Sequence, residues 1–194
     1  MSWRPAATLL ESILLAGRYP ISRPGAASWL SLALQLAPQA RVVAWDAPGY
    51  GASTPLAPAA PSAADHAQRL HGLLDALDIQ SCVLVGHSLG AITAGCAARK
   101  DSALASRIRR LVLISPAAGY GAPQRGEARR KVRAELLATL DELGIAGMAA
   151  KRAGRLVSAG ASELARQWVQ WNMARPNDGG YRQAVELLCS TDLL

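Results

Sequence analysis

Residues 83–90 read VLVGHSLG and are followed directly by AITAG at 91–95. An apolar, β-branched run enters Gly86-His87-Ser88-Leu89-Gly90, and small helix-compatible residues begin at once. Where a strand turns sharply into a helix, a G-x-S-x-G pattern projects the serine hydroxyl out of the turn as a nucleophile. The spacing has a mechanical basis. The residues two before and two after such a serine press against each other, so only glycine or a very small residue fits at Gly86 and Gly90. The N–H of Leu89 stands at the helix start, where with the helix dipole it can hold an oxyanion formed on an attacked carbonyl. The chemistry this pattern serves is nucleophilic attack by Ser88 on a carbonyl. A plainer role fits the same residues, in which Ser88 only caps the helix.

The elements around this turn follow from hydrophobic periodicity. Residues 41–45 (RVVAW), 81–85 (SCVLV) and 110–115 (RLVLIS) are short runs expected to form fully buried strands, with a further strand at 13–16. Helices are predicted over 26–36, with Trp29, Leu32 and Leu36 on one side, over 63–77, with Leu70, Leu73, Leu74 and Leu77, and over 91–99. Strand and helix alternate, which predicts an α/β class with a mostly parallel sheet covered by helices on both faces. Residues 57–64 form a proline-bearing connector, and 119–126 a second break. From 127 onward only helical periodicity appears: a stripe of Val132, Leu136, Leu137 and Leu140, then segments 148–157, 163–173 and 181–188. Helix ends are expected at Gly144, at Gly160 and over 176–180. The expected organisation is therefore an α/β core over 1–122 and an all-helical segment over 123–194.

A second motif, DAPGYGAS at 46–53, follows the strand RVVAW. Together with the GHSLG turn it makes the chain resemble the α/β-hydrolase fold superfamily, whose D-x-P-G-x-G-x-S loop stands at this place. Residues 25–29 (GAASW) resemble the helix start after the family's oxyanion loop, residues 110–119 its strand after the elbow helix, and the all-helical segment its cap or lid. The resemblance implies a serine hydrolase without a cofactor, closest to hydrolases of small-molecule ester, lactone and carbon–carbon (activated ketone) substrates. Asp46 is expected to be structural, bonding turn amides while Gly49 and Gly51 permit the turn. A catalytically silent module of the same fold, binding a small molecule or a partner, is the alternative. A lyase or perhydrolase on the same scaffold is a third, because fold does not fix reaction.

The resemblance implies an acid and then a histidine base after the serine, yet no histidine follows Ser88. Those present are His66, His71 and His87. His87 adjoins the serine, but neighbours on such a turn diverge, so a structural role is expected; His66 and His71 are expected on the outer surface of their helix. Asp192 comes too early to be the triad acid. A truncated chain is the expectation, lacking the C-terminal core strands that would carry acid and base. Upstream, Ala16 stands where the family has a histidine before a glycine, here Gly17, and Gly17 and Arg18 offer only backbone amides as a second oxyanion donor. Trp168, Trp171 and Met173 could line an apolar substrate pocket with Leu164, but core packing within the helical segment is favoured.

Composition closes off other classes. The 194 residues carry a net charge of +7, and eight basic residues against Glu127 lie between Arg107 and Arg133. Tyr120 is the single aromatic residue among these, too few to interleave, so a solvated helix start rather than a nucleic-acid surface is expected. No apolar run reaches the length of a membrane span. Cys82, Cys96 and Cys189 have neither disulfide-framework nor metal-site spacing, and are expected to be buried thiols in a cytoplasmic protein. The predicted incomplete sheet leaves an oligomer open as an arrangement.

Overall fold

The protein is described by a computed structural model over residues 13–16 and 29–193. Its centre is β3 (Cys82–His87), buried at all six positions. β3 lies parallel to β1 (Ile13–Ala16) on one side and to β4 (Ile108–Ile114) on the other, and β1 pairs in turn with β2 (Val42–Trp45). The sheet order is β2-β1-β3-β4, all parallel.

Alternation along β3 feeds two layers. Cys82 and Leu84 face α2 (Ala63–Ala76) and α3 (Leu89–Ala97), in a cluster with Leu70, Leu74, Ala94 and Leu104. Val83 and Val85 face the opposite side, where Trp29 and Leu36, at the two ends of α1 (Leu30–Leu36), cover them. α2 starts where it does because Ser62 and Asp65 form a capping box, each side chain accepting from the other's backbone N–H.

The C-terminal part contains α4 (Gly126–Ala153), α5 (Glu163–Met173) and α6 (Asp178–Ser190). α4 breaks at Gly144, whose φ of 61° no ordinary helical residue adopts. These helices do not stand apart from the α/β part. Leu136 and Leu140 of α4 and Tyr181, Val185 and Leu188 of α6 form one cluster with Leu89 and Ile92 of α3 and with Tyr50. After α6 the chain runs back beside residues 118–121: Tyr120 and Gly121 N–H donate to Leu188 and Thr191 carbonyls, and Leu193 N–H to Ala118.

Four expectations are corrected. The run at 110–115 is not a fully buried strand: β4 lies at the sheet edge and Leu111, Val112, Leu113 and Ile114 are exposed, and β2 is only half-buried. Trp168 and Trp171, expected as core, stack on each other at 5.2 Å on an exposed face with Leu164, while Met173 alone of that set is buried. α6 begins at Asp178 rather than after Gly180. Its first-turn Gly180 lies so close to Gly49 that a methyl group on either would enter the other's backbone. Of the three thiols only Cys82 and Cys189 are buried; Cys96 is half-exposed. Gly17, Arg18 and residues 25–28 lie outside the described residues.

Candidate active site

Order in the sheet reverses at β1, which has β2 on one side and β3 on the other. In open parallel sheets such a reversal opens a crevice at the carboxyl ends of the two central strands. Ser88 stands at that end of β3, as the residue preceding α3. Its backbone has φ 52° and ψ −117°, outside the regions that a residue with a Cβ populates freely. The conformation is clamped on both sides. Ser88 N–H donates to Ile114 O at 3.0 Å, and Ser88 O accepts from Ala117 N–H at 3.1 Å and Ala91 N–H at 3.0 Å.

The close approach expected of Gly86 is met. A Cβ there would stand 2.7 Å from Ala94 Cβ, 2.7 Å from Gly90 O and 2.8 Å from Ala91 Cα. Leu89 is the first residue of α3, so its N–H has no acceptor within the helix. The Ser88 side chain is 1% exposed, and its Oγ has no hydrogen-bond partner among the described residues. It makes no cap bond to α3 either. A helix-capping serine would satisfy itself by that bond, so the plainer role is not the one the geometry takes.

None of the three histidines pairs with Ser88 Oγ. His87 is buried with its ring edge-to-face against Trp29, centroids 6.3 Å apart. His71 lies partly exposed with Nδ1 3.3 Å from Asp75 Oδ2. His66 corrects its expectation: it is buried, not outward, because it falls on the stripe of Ala67, Leu70 and Leu74 that α2 turns to the sheet. Burial pushes its pKa down to about 4, only partly offset by Asp65.

The 46–53 loop is a tightly hydrogen-bonded turn. Tyr50 and Ser53 N–H donate to Ala47 and Tyr50 carbonyls, and Ser53 Oγ donates to Asp46 O at 2.6 Å. The Asp46 carboxylate closes against Gly51, where a Cβ would collide with it, and faces Arg175 at 4.0 Å. Asn177 N–H donates to Gly49 O at 3.2 Å, which ties the loop to the start of α6.

A cavity of about 450 Å³ opens next to residues 117–120, which follow β4; Ser88 itself does not line it. One wall is Ala117, the residue bonded to Ser88 O, and its apolar floor includes Leu136 and Leu188 from the cluster that holds Leu89. Arg125, Lys151, Arg152 and Arg155 line it, against one carboxylate, Glu135. Sequence reasoning missed this set. The basic residues at 151–155 come near 117–125 only through the fold of α4, and no local pattern announces that contact. No group of His, Cys, Asp and Glu suited to a metal ion occurs among the described residues, and no described helix is long and apolar enough to cross a membrane.

Comparison with known proteins places these features. The alpha/beta hydrolase fold family matches residues 15–179. The "Putative carbamate hydrolase RutD" of Pantoea ananatis is 45% identical over 64 residues, 33% of this chain and 23% of that protein. Among solved structures, the enol-lactonase from Burkholderia xenovorans LB400 superposes with a TM-score of 0.75 at 21% identity, covering 97% of this chain and 68% of that one. An esterase from Exiguobacterium antarcticum gives 0.78 at 18% identity, covering 94% and 67%. At these identities the likeness is one of fold. The chain thus spans less than a quarter of the curated relative and about two-thirds of the solved chains.

Proposed function

Because the chain belongs to the alpha/beta hydrolase fold family, we propose that it is a hydrolase whose nucleophile is Ser88. The substrate class is a small ester, lactone, carbamate or activated ketone. The names of the carbamate hydrolase and the enol-lactonase support that range. Ser88 Oγ attacks the substrate carbonyl while its proton passes through solvent to the leaving group, and Leu89 N–H holds the oxyanion at the positive end of α3. The carbonyl–leaving-group bond breaks to release the protonated leaving group, and water hydrolyses the acyl-serine to the acid and free Ser88. The helices α4 to α6 act as the cap over the turn. The observation that carries this reading is the Ser88 turn, its backbone bent at φ 52° between a buried strand and a helix and its Oγ making no hydrogen bond to any described residue.

A catalytically silent binding module of the same fold is the second reading. It is favoured by one observation: none of His66, His71 and His87 meets Ser88 Oγ. Labelling with a fluorophosphonate probe, peptide mapping of the adduct, and p-nitrophenyl acetate turnover separate the two. A nucleophilic Ser88 is expected to carry the only adduct, and Ser88→Ala to abolish it. A positioned base contributes about 10²- to 10⁴-fold, so the unassisted serine is expected to label that much more slowly than one with a paired histidine. A folded chain that takes no label at Ser88 sinks the nucleophile assignment and leaves the binding module.

A further inference from the structure

The cavity next to residues 117–120 is the feature whose chemistry exceeds a generic acyl-transfer site. Four cations line it and one carboxylate, Glu135. Arg125 spends one N–H on Gly119 O at 2.8 Å; Lys151, Arg152 and Arg155 form no ion pair with any described carboxylate, and Glu135 bridges to none of them. Arg107, Arg133 and Arg182 are each closed on a carboxylate, at 2.6, 2.6 and 2.5 Å, while other cations such as Arg110 and Arg130 form no ion pair among the described residues. What sets this place apart is that four cations converge on one concavity with a single carboxylate. An unpaired basic lining in a concave, partly apolar site concentrates anions, and guanidinium groups bind a carboxylate with two parallel N–H bonds.

We propose that this cavity receives the carboxylate end of the substrate, so that the protein acts on small esters, lactones or carbamates that carry a free carboxylate. Arg152 and Arg155 are the specificity-determining pair, and Arg125 is held against Gly119 to define the cavity's mouth. The substrate's apolar stem lies over Leu136 and Leu188, and its carbonyl points toward Ala117, whose N–H is bonded to Ser88 O. The inference rests on the Ser88 reading for which bond is cleaved, but the anion site itself does not need that reading.

The test therefore measures binding to the unreactive Ser88→Ala chain, by calorimetry or ligand-detected NMR, and reads turnover separately. The probes are monomethyl succinate, its neutral counterpart dimethyl succinate, and inorganic phosphate. Monomethyl succinate is expected to bind at least about tenfold more tightly than the dimethyl ester, since charge-assisted bonds to a carboxylate contribute on that scale. The preference is expected to weaken with added salt. The Arg152→Gln/Arg155→Gln double variant, checked for unchanged circular dichroism, is expected to erase it. Equal binding of the two esters, no binding of either, a preference that survives the double variant, or phosphate binding as tightly as monomethyl succinate each overturns the proposal. An unlabelled Ser88 alongside selective carboxylate binding overturns only the hydrolase reading.

Discussion

A Gly86→Val chain is expected not to reach the native state at room temperature, whereas Gly72→Ala, also a glycine replacement in a regular element, is expected to raise stability. The difference lies in what a new Cβ meets. At Gly86 it enters a space already held by Ala94 Cβ, Gly90 O and Ala91 Cα, two of which are backbone atoms of the α3 start and cannot swing aside. Overpacking a core with mobile neighbours costs about 1–3 kcal/mol, and a contact with fixed backbone exceeds that range. The whole stability of a domain is only about 5–15 kcal/mol. At Gly72, on the exposed side of α2, a Cβ meets nothing within 4 Å, and alanine in a helix interior is favoured over glycine by about 1 kcal/mol. Chemical denaturation of both variants beside the parent checks the pair. A Gly86→Val chain as stable as the parent would show that α3 does not press on β3 as described.

Stability is expected to fall as pH drops from about 6.5 toward 4, and replacing His66 is expected to remove most of that loss. His66 has a folded pKa of about 4, against an ordinary value of 6.5, because burial disfavours the imidazolium. The unfolded chain therefore binds a proton at pH values where the folded chain does not. Stability contributed by neutral His66 is whole above pH 6.5, declines as pH falls, and is exhausted below about 4. The gap between the two values corresponds to about 3 kcal/mol. Asp65 and Asp101 titrate beneath this window, since hydrogen bonds from Ser62 and from Arg99 hold them below the usual carboxylate range. Denaturation midpoints from pH 7 to 4 should fall steeply in the parent and shallowly in His66→Leu. Parallel slopes would mean that His66 is solvated in the folded state.

The serine turn was legible in the sequence because its constraint is steric and local. Only glycine fits at Gly86, and a strand-type run ending in that pattern leaves few other conformations. The covering of β4 was not legible. Leu111 to Ile114 read like any central strand, since an apolar run encodes a preference for burial and not whether a neighbour lies beside it. His66 was legible in principle, standing four and eight residues before Leu70 and Leu74 on the stripe that faces the sheet. α5 shows the opposite error: Leu164, Trp168 and Trp171 have core spacing, yet the helix turns Val169 and Met173 to Ala149 and Ala153 instead. The basic cavity joins residues some thirty positions apart, a distance over which periodicity carries no information.

The dihedral angles of Ser88 carry a further consequence. A side-chain-bearing residue held there costs the fold about 1–3 kcal/mol, while glycine would sit in the same place nearly without strain. A turn required only for shape would be most stable with glycine at its apex. The chain instead keeps a serine whose hydroxyl bonds to no described residue, and so gives up thermodynamic robustness at this point.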